Sequence, residues 1–176
     1  MPTTAMPMPG YGAGPLTAER LRELLSYDPD TGLFHWRRQK GRASAGDKAG
    51  RFSFTHGYID IGIDGCLYRA HRLAWLYIYG KWPTEMDHIN GVRNDNRLVN
   101  LRQCTVSENR SNRGASPRNT SGFKGVSKRA NDGKWIAQIK KNGKVTWLGS
   151  FDDPAEAHAA YCKAAKVIHG EFARTA

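Results

Sequence analysis

An Asp-His pair within a polar loop is the strongest chemical signal in the sequence. Asp87 and His88 begin the stretch DHINGVRNDNRLVNLR, and asparagines follow at positions 94, 96 and 100. A carboxylate and an amide oxygen are hard ligands that suit Mg²⁺ or Mn²⁺, and a neutral imidazole beside such an ion can take a proton from water. Together these groups are equipped for metal-assisted hydrolysis of a phosphodiester. The alternative is a polar turn with a solvated histidine, and the surrounding elements must decide between the two.

The elements around the pair can bring a further ligand to it. The pair ends one predicted strand, and a second strand is predicted around Asn100. Thr105 and Glu108 form a capping box, which predicts a helix from near Val106. That helix carries Asn109 in its first turns. The order strand, loop, strand and helix can therefore bring the amide of Asn109 to the pair.

Four elements that could support this site are predicted upstream of the pair. They are a helix capped by Thr17 with Leu21, Leu24 and Leu25 on one face, a strand through Leu33, Phe34 and Trp36, a strand with Ile59, Ile61 and Ile63 that ends in an Asp64-Gly65 hairpin turn, and a helix over HRLAWLYIYG that ends at Gly80. His71 lies in the last helix. It could contact phosphate or orient the site, or it could be a satisfied core histidine beside Leu73 and Trp75.

The motif resembles the HNH endonucleases of the phage and intron homing type, which carry a ββα-metal site. The resemblance rests on DHINGVRNDNRLVNLRQCTVSENRSN with YRAHRLAW upstream, and it covers roughly residues 15–113. It implies Asp87 and Asn109 as metal ligands, His88 as the general base that activates water, and Asn100 as the brace of the loop. Asn109 stands where other members have histidine, which favours Mg²⁺ or Mn²⁺ over zinc.

The positive charge of the chain is concentrated in one stretch. The net charge is +11 and the pI is about 9.8. Residues 101–150 hold eleven Lys or Arg and two Asp or Glu, a net of +9. Such a basic stretch indicates a nucleic-acid partner. No apolar run approaches the length of about 18 residues that a membrane span needs, so a membrane partner is not expected.

The same stretch predicts a second module behind a linker. Residues 114–121 are rich in Gly, Ser, Pro, Asn and Thr, which is typical of a linker. Short strands are predicted near residues 123–129, 134–140 and 144–149, with an Asn142-Gly143 hairpin turn between the last two. A helix follows, with Asp153 at the N-cap, Pro154 at N1 and Gly170 after its end. Its predicted buried face contains Ala157, Ala160, Tyr161, Ala164 and Ile168.

This module resembles the plant ethylene-response-factor (Apetala-type) DNA-binding domain. The resemblance rests on FKGV, GKWIAQI, WLGSF and the helix EAHAAYCKAA, and it covers about residues 121–173. It implies a three-stranded sheet in the DNA major groove with one helix packed behind it. The family's contact positions are occupied here by Lys124, Arg129, Gln138, Lys140, Trp147 and Ser150, and Lys144, Arg110 and Arg113 are further predicted DNA contacts in the basic stretch. Ser127 and Val145 replace basic residues of the family, so base specificity is not transferred.

The two-residue period of a strand separates the faces of this sheet. If Trp135, Ala137 and Ile139 face the helix, Gln138 and Lys140 must face outward. Lysine can then contact phosphate, and glutamine can contact a base edge. Two alternatives stay open at this point: Trp147 could be a core residue, and the lysines could form a solvated face.

The sequence thus predicts an α+β protein with two modules. The predicted divisions are a flexible tail rather than a signal peptide over residues 1–15, an HNH nuclease domain over 16–113 with its core motif at 66–113, a linker over 114–121, and a DNA-binding domain over 122–174. We expect a metal-dependent endonuclease that acts on double-stranded DNA as a monomer and has no small-molecule substrate. Cys66, Cys104 and Cys162 are widely spaced, which favours a reducing compartment, namely the cytoplasm of a bacterial or phage-infected cell. The alternative is a DNA-binding regulator whose nuclease half is inactive.

Overall fold

The computed structural model of the chain describes residues 16–116 and 118–175. The described chain has the predicted α+β composition and divides into two compact units, one ending at Gln103 and the other starting at Cys104. This division falls before the linker predicted over residues 114–121, and the predicted domain boundaries stay predictions. The predicted tail over residues 1–15 lies outside the described residues. No helix within the described ranges is long and apolar enough to cross a membrane.

Short helices and strands build the first unit. In chain order they are α1 (Ala18–Leu24), β1 (Leu25–Asp28), β2 (Leu33–Trp36), β3 (Lys48–Ala49), β4 (Arg51–Phe52), β5 (Ile59–Ile63), β6 (Cys66–Arg69), α2 (Ala70–Tyr79), β7 (Met86–His88) and β8 (Leu101–Gln103). β1, β2 and β3 form one antiparallel sheet, and β4, β5 and β6 form another. β7 pairs with β8, which follows a single 3-10 turn at Leu98–Asn100.

Local signals set the ends of most of these elements. Thr17 caps α1 by accepting a hydrogen bond from the amide of Arg20, and Gly80 ends α2 in the left-handed conformation. Asp64 and Gly65 both have positive φ, as a two-residue hairpin turn requires. Leu25 departs from the prediction: it adopts extended geometry and starts β1 instead of continuing the helix. Its side chain is nevertheless fully buried, because the strand turns it into the same core.

The core of the first unit lies between its two helices and the upstream sheets. Its largest fully buried side chains are Phe34, Leu21, Leu25, Ile61, Ile63, Leu73 and Leu76. Burial of each such side chain stabilises the fold by about 1.5–3 kcal/mol. The β1–β2 turn packs closely on the polar loop after β7, since a Cβ at Gly32 would lie 2.5 Å from the amide nitrogen of Arg97. The upstream hairpin therefore supports the loop that carries the candidate site.

The second unit is a sheet with a helix packed on it, preceded by a short helix. Its elements are α3 (Val106–Ser111), β9 (Val126–Lys128), β10 (Trp135–Lys141), β11 (Lys144–Phe151) and α4 (Pro154–His169), followed by a 3-10 turn at Gly170–Phe172. The antiparallel sheet has the order β11-β10-β9. This confirms the predicted three-stranded sheet packed on one helix. The first strand is shorter than predicted and begins at Val126.

The core of the second unit joins α4 to the inner face of the sheet. Val126, Ala137 and Ile139 on the strands are buried against Ala157 and Tyr161 on the helix. Asp153 caps the helix by accepting hydrogen bonds from the amides of residues 155 and 156, as predicted. The predicted helix face needs one correction. Residue Ala165 is fully buried, whereas Ala164 is only partly buried against the core.

Candidate active site and nucleic-acid interface

The Asp-His pair lies on a two-stranded antiparallel ribbon. In the register of β7 and β8, Asp87 faces Arg102 and His88 faces Leu101. The pair is almost fully buried, with Asp87 6% and His88 5% exposed. This burial excludes the alternative of a polar turn with a solvated histidine.

The buried carboxylate of Asp87 is held by a guanidinium group. Arg102 donates from Nε at 3.0 Å and from Nη2 at 2.8 Å to Oδ2 of Asp87. A buried carboxylate needs a positive partner, because burial of an isolated charge is very costly. A carboxylate oxygen is a ligand that suits a hard divalent ion, but in this structure Arg102 occupies Oδ2 of Asp87, so a metal ion there would compete with the guanidinium.

The donor set beyond Asp87 is sparse. Among the described residues, no group of three or more His, Cys, Asp or Glu side chains is arranged to hold a metal ion. Asn109, the other predicted ligand, would contribute an amide oxygen. A set of one carboxylate and one amide suits Mg²⁺ or Mn²⁺, which retain water and accept substrate phosphate oxygens in the remaining positions.

His88 is oriented by a buried asparagine. Its Nε2 lies 3.2 Å from Oδ1 of Asn96, which is 3% exposed. With Nε2 as the donor, the neutral ring has Nδ1 as its basic nitrogen. Burial lowers the pKa of His88 below its ordinary value, which keeps the imidazole neutral near pH 7. A neutral, oriented imidazole is what a general base requires.

The loop between β7 and β8 is fixed by side-chain bonds to its own backbone. Asn100 accepts from the amide of Asn90 at 2.9 Å and donates to the carbonyl of Asp95 at 2.7 Å. These bonds cross the loop as a brace would. The hydroxyl of Tyr27 donates to the carbonyl of Asn96 at 2.7 Å and anchors the same loop to β1.

Asn96 was missed by the sequence analysis. Its only sequence signal is a place among several asparagines of a polar loop, and Asn100 was selected instead. Arg102 was missed for a different reason. Its relation to Asp87 exists only once the strand register is known.

His71 contacts the face of the candidate base. The rings of His71 and His88 meet edge-on, with centroids 4.9 Å apart and an interplanar angle of 69°. The Tyr58 ring lies beside both, with its centroid 5.1 Å from that of His71 and 6.0 Å from that of His88. Within the described ranges Nδ1 of His71 is buried without a hydrogen-bond partner, and burial lowers the pKa of His71 well below its ordinary value. His71 is thus buried beside the candidate base but is not the satisfied core histidine of the second alternative, and a role in the site stays a prediction.

The predicted ligand Asn109 lies on α3, within the second unit. The capping box of this helix is present as predicted, with reciprocal bonds between Thr105 and Glu108. Asn109 is half-buried, and Arg110 and Arg113 are exposed. The assignment of Asn109 as a metal ligand stays a prediction.

The outward face of the three-stranded sheet presents polar and basic side chains. Gln138 pairs across the sheet with Trp147, and Lys140 pairs with Val145. These side chains are exposed, Trp147 by 64%, which excludes the alternative of a core tryptophan. The register shifts at a bulge between residues 137 and 138, and Leu148, next to the exposed Trp147, is partly buried against the core. Lys144 is exposed at the start of β11.

Two of the other predicted DNA contacts are linked to each other. Arg129 forms an ion pair with Asp132 and also donates from Nη2 to Oγ of Ser150 at 3.3 Å. The neighbouring strand residues place Ser150 opposite Ile136, on the outward face. These two positions are therefore close in space, although 21 residues separate them.

Lys124 is directed toward the backbone. Its ammonium donates to the carbonyls of Ser111 at 2.6 Å and Arg174 at 2.8 Å. Burial lowers the pKa of Lys124 to about 8. A DNA contact by Lys124 would require this side chain to leave both carbonyls, and its role stays a prediction.

A cavity of about 570 Å³ in the second unit brings several predicted DNA contacts together. Arg110 on α3, Lys124, Gln138 and Lys140 line it. Apolar walls are contributed by residues that include Ile139 and Tyr161. The basic side chains of α3 and of the sheet thus share one concave surface.

Two segments of the chain match known protein families. Residues 68–111 match the HNH endonuclease family, and residues 121–171 match the AP2 domain family. The chain contains an HNH endonuclease domain and an AP2 DNA-binding domain. Both domains imply binding to DNA, and HNH domains typically use a divalent metal ion. The two resemblances found in the sequence are thereby confirmed.

Several plant proteins are similar to part of the chain. Dehydration-responsive element-binding protein 2A of Arabidopsis thaliana is 44% identical over 54 residues, which are 30% of this chain and 16% of that protein. An ethylene-responsive transcription factor of the same plant is 45% identical over 51 residues, or 28% of this chain and 27% of that protein. In both cases the chain covers well under half of the relative's length. The similarity is therefore one of a single domain.

Proposed function

We propose that the protein is a metal-dependent DNA endonuclease of the homing type, with its AP2 domain positioning the HNH domain on the duplex. The observation that carries the proposal is the oriented His88. It is buried and bonded through Nε2 to Asn96, and it is adjacent to Asp87 on one strand. A general base and a ligand for a hard cation are thus adjacent within an HNH domain.

The mechanism follows from the state of His88. Nδ1 of the neutral ring takes a proton from a water molecule, and the resulting hydroxide attacks the phosphorus of the scissile phosphodiester. The amide oxygen of Asn96 accepts the hydrogen bond from Nε2–H of His88 and so stabilises the imidazolium that forms. The bond to the 3′ oxygen breaks and the leaving oxygen takes a proton from solvent water, which leaves a 5′-phosphate and a 3′-hydroxyl. Asp87 and Asn109 would hold Mg²⁺ or Mn²⁺, which when bound supplies positive charge for the negative charge that develops on the phosphoryl oxygens.

The experiment that tests the proposal is a plasmid-nicking assay with Mg²⁺ or Mn²⁺. Wild-type protein should convert supercoiled plasmid, and His88→Ala should cut about 10²- to 10⁴-fold more slowly because a general base is lost. DNA affinity of the variant should stay nearly unchanged, since the basic residues of the second unit are intact. Undiminished cutting by His88→Ala would remove this residue from the mechanism.

The alternative function is a DNA-binding regulator with an inactive nuclease half. It is favoured by the ion pair between Asp87 and Arg102, in which a guanidinium already neutralises the predicted metal ligand. The similar plant proteins include transcription factors by name. Sequence-selective DNA binding without any cutting at millimolar Mg²⁺ or Mn²⁺ would support this alternative.

A further inference from the structure

One aromatic side chain of the first unit is almost fully exposed to solvent. Phe54 is 92% exposed, more than any other large hydrophobic side chain in the described part of the chain. Its ring meets Phe52 edge-on, with centroids 5.0 Å apart and an interplanar angle of 89°. The pair holds one face of Phe54 in a defined orientation. One exposed hydrophobic side chain is ordinary on a protein surface, so the case for a contact surface must come from the residues around it.

The turn that carries this ring is internally bonded. The Phe54 turn, residues 53–57, joins β4 to β5. The amide of Ser53 donates to the carbonyl of Tyr58 at 2.8 Å, and the amide of Gly57 donates to the carbonyl of Ser53 at 2.6 Å. The ring is therefore presented by a fixed frame, and a base that stacks on it would require little ordering of the protein.

Arg93 ties the Phe54 turn to the loop of the candidate base. Its Nη1 donates to the carbonyl of His56 at 3.0 Å, and its guanidinium lies 5.3 Å from the ring centroid of Tyr58. The Tyr58 ring in turn lies 6.0 Å from the ring of His88. A continuous set of contacts therefore connects the turn that carries Phe54 to His88, the proposed general base.

The surroundings of the turn match the chemistry of a nucleic acid. Arg51, on the strand that enters the turn, is exposed, as is Arg93. Ile89 and Val92, on the loop held by Arg93, are large hydrophobic side chains with 44% and 48% exposure. Arginines can contact phosphates while an aromatic ring stacks on a base, which is the combination that single-stranded or unstacked DNA requires.

We propose that the Phe54 turn is a second DNA-binding site of the protein, and that Phe54 stacks on a base that is unstacked near the cleaved phosphodiester. The inference rests on the proposed endonuclease function for the location of the base. Proteins that insert apolar side chains between base steps unstack them and bend the duplex. The Phe54 turn would thus distort the DNA where His88 acts, while the AP2 domain binds elsewhere on the duplex.

The test uses the full chain and a set of duplexes that carry 2-aminopurine at successive positions of a selected target. Fluorescence of 2-aminopurine rises when the base is unstacked. Wild-type protein should raise it when 2-aminopurine lies beside the base that stacks on Phe54, whereas Phe54→Ala should not. Phe54→Trp should bind the target as tightly as wild type, because an indole ring also stacks on a base. The affinity of Phe54→Ala for the target should fall about 5- to 150-fold, the effect of losing one aromatic stacking partner.

Val167→Ala is the matched control, because Val167 is 86% exposed on α4 in the other unit. It should leave the fluorescence change and the affinity unchanged. The binding assay is performed without a divalent metal, so its outcome is independent of whether the protein cuts DNA. A fluorescence change and an affinity that are equal in wild type and Phe54→Ala would overturn the proposal, even if plasmid nicking were observed.

Discussion

Asp87 and Arg102 lie opposite each other on β7 and β8, and Oδ2 of the carboxylate accepts two bonds from the guanidinium, at 3.0 and 2.8 Å. The arginine side chain is only 12% exposed and the aspartate 6%. The pair therefore balances a buried charge at the place where a metal ion is proposed to bind.

Loss of Arg102 should destabilise the protein and increase the extent to which a bound metal ion stabilises it against unfolding. Arg102→Gln should lower the free energy of unfolding by about 3–5 kcal/mol, because Asp87 stays buried without this charged partner. Mn²⁺ should restore part of the loss, since an ion that binds only the folded state stabilises it by mass action. Urea unfolding with and without Mn²⁺ measures both effects.

Arg97→Gln is the control for the ion-pair measurement. Arg97 pairs with Asp95 in the same loop, but its side chain is 49% exposed. Its loss should cost at most about 1 kcal/mol, the usual value of an exposed pair. Absence of any stabilisation of Arg102→Gln by Mn²⁺ would contradict the placement of the metal at Asp87.

Asn96 is predicted to be a positioning residue for His88. Asn96→Leu removes the oxygen that accepts a hydrogen bond from Nε2 of His88. The kcat for cleavage should therefore fall while DNA affinity is retained. Asn96→Asp keeps an oxygen in the same place and should cut faster than Asn96→Leu. Single-turnover cleavage and a gel-shift titration separate the two quantities. Equal rates for the two variants would assign Asn96 a structural role only.

Local signals in the sequence were sufficient for the turns and caps. Asn142 and Gly143 have φ values of 51° and 83°, and Asp153 accepts the bonds of an N-cap. These outcomes depend on two to four neighbouring residues, whose preferences act wherever they occur. The same reasoning found the Asp-His pair and the outward face of β10.

The parts of the site that were not predicted depend on contacts between distant residues. Arg102 meets Asp87 because of the register of β7 and β8, and Tyr58 reaches His71 and His88 through the packing of β5 against α2. Leu25 continued an apolar helical pattern but was drawn into a strand by pairing with Trp36. Tertiary pairing thus overrode the local period in this case.

The second unit should fold without the first, and α3 should contribute to its stability. Oγ of Ser111 lies 3.2 Å from Nδ1 of His169, and the amide of Asn142 donates to Oγ of Ser107 at 3.3 Å. A fragment of residues 104–176 should therefore unfold at higher urea than one of residues 119–176. Circular dichroism during urea unfolding provides the comparison. Identical midpoints would show that α3 adds nothing to this unit.

The same fragments test the DNA-binding role. Each should bind duplex DNA with a steep salt dependence, because every phosphate that is neutralised contributes about −0.9 to the slope of log K against log salt. The longer fragment also carries Arg110 and should give the larger slope. Affinity that does not change with salt would argue against the basic surface as the binding site.

The buried ammonium of Lys124 should make the stability of the second unit depend on pH. Its pKa is about 8 in the folded state and near the ordinary 10.5 when unfolded, so the unfolded chain holds more protons between these values. Stability should rise with pH from about 8 to about 10, below the titration of Tyr161. Lys124→Met should lack this rise. The free energy of unfolding of the 104–176 fragment, measured with urea at several pH values, provides the comparison. Parallel pH profiles of wild type and variant would refute the assignment of this pH dependence to Lys124.

The last prediction separates base contact from phosphate contact on the outward face of β10. Gln138 and Lys140 lie two residues apart on that face, and both are exposed. Lys140→Ala should weaken binding to all sequences about equally and lower the salt slope by about one unit if the ammonium contacts only phosphate. Gln138→Ala should leave the slope nearly unchanged but cost about 1–3 kcal/mol on the preferred site alone, if the amide makes a bidentate contact to adenine. Titrations against a selected target and a scrambled duplex, each at several salt concentrations, measure these differences. Equal losses on both duplexes for Gln138→Ala would mean that the sheet supplies affinity without base recognition at this position, and specificity would then have to come from the HNH domain or from the shape of the DNA.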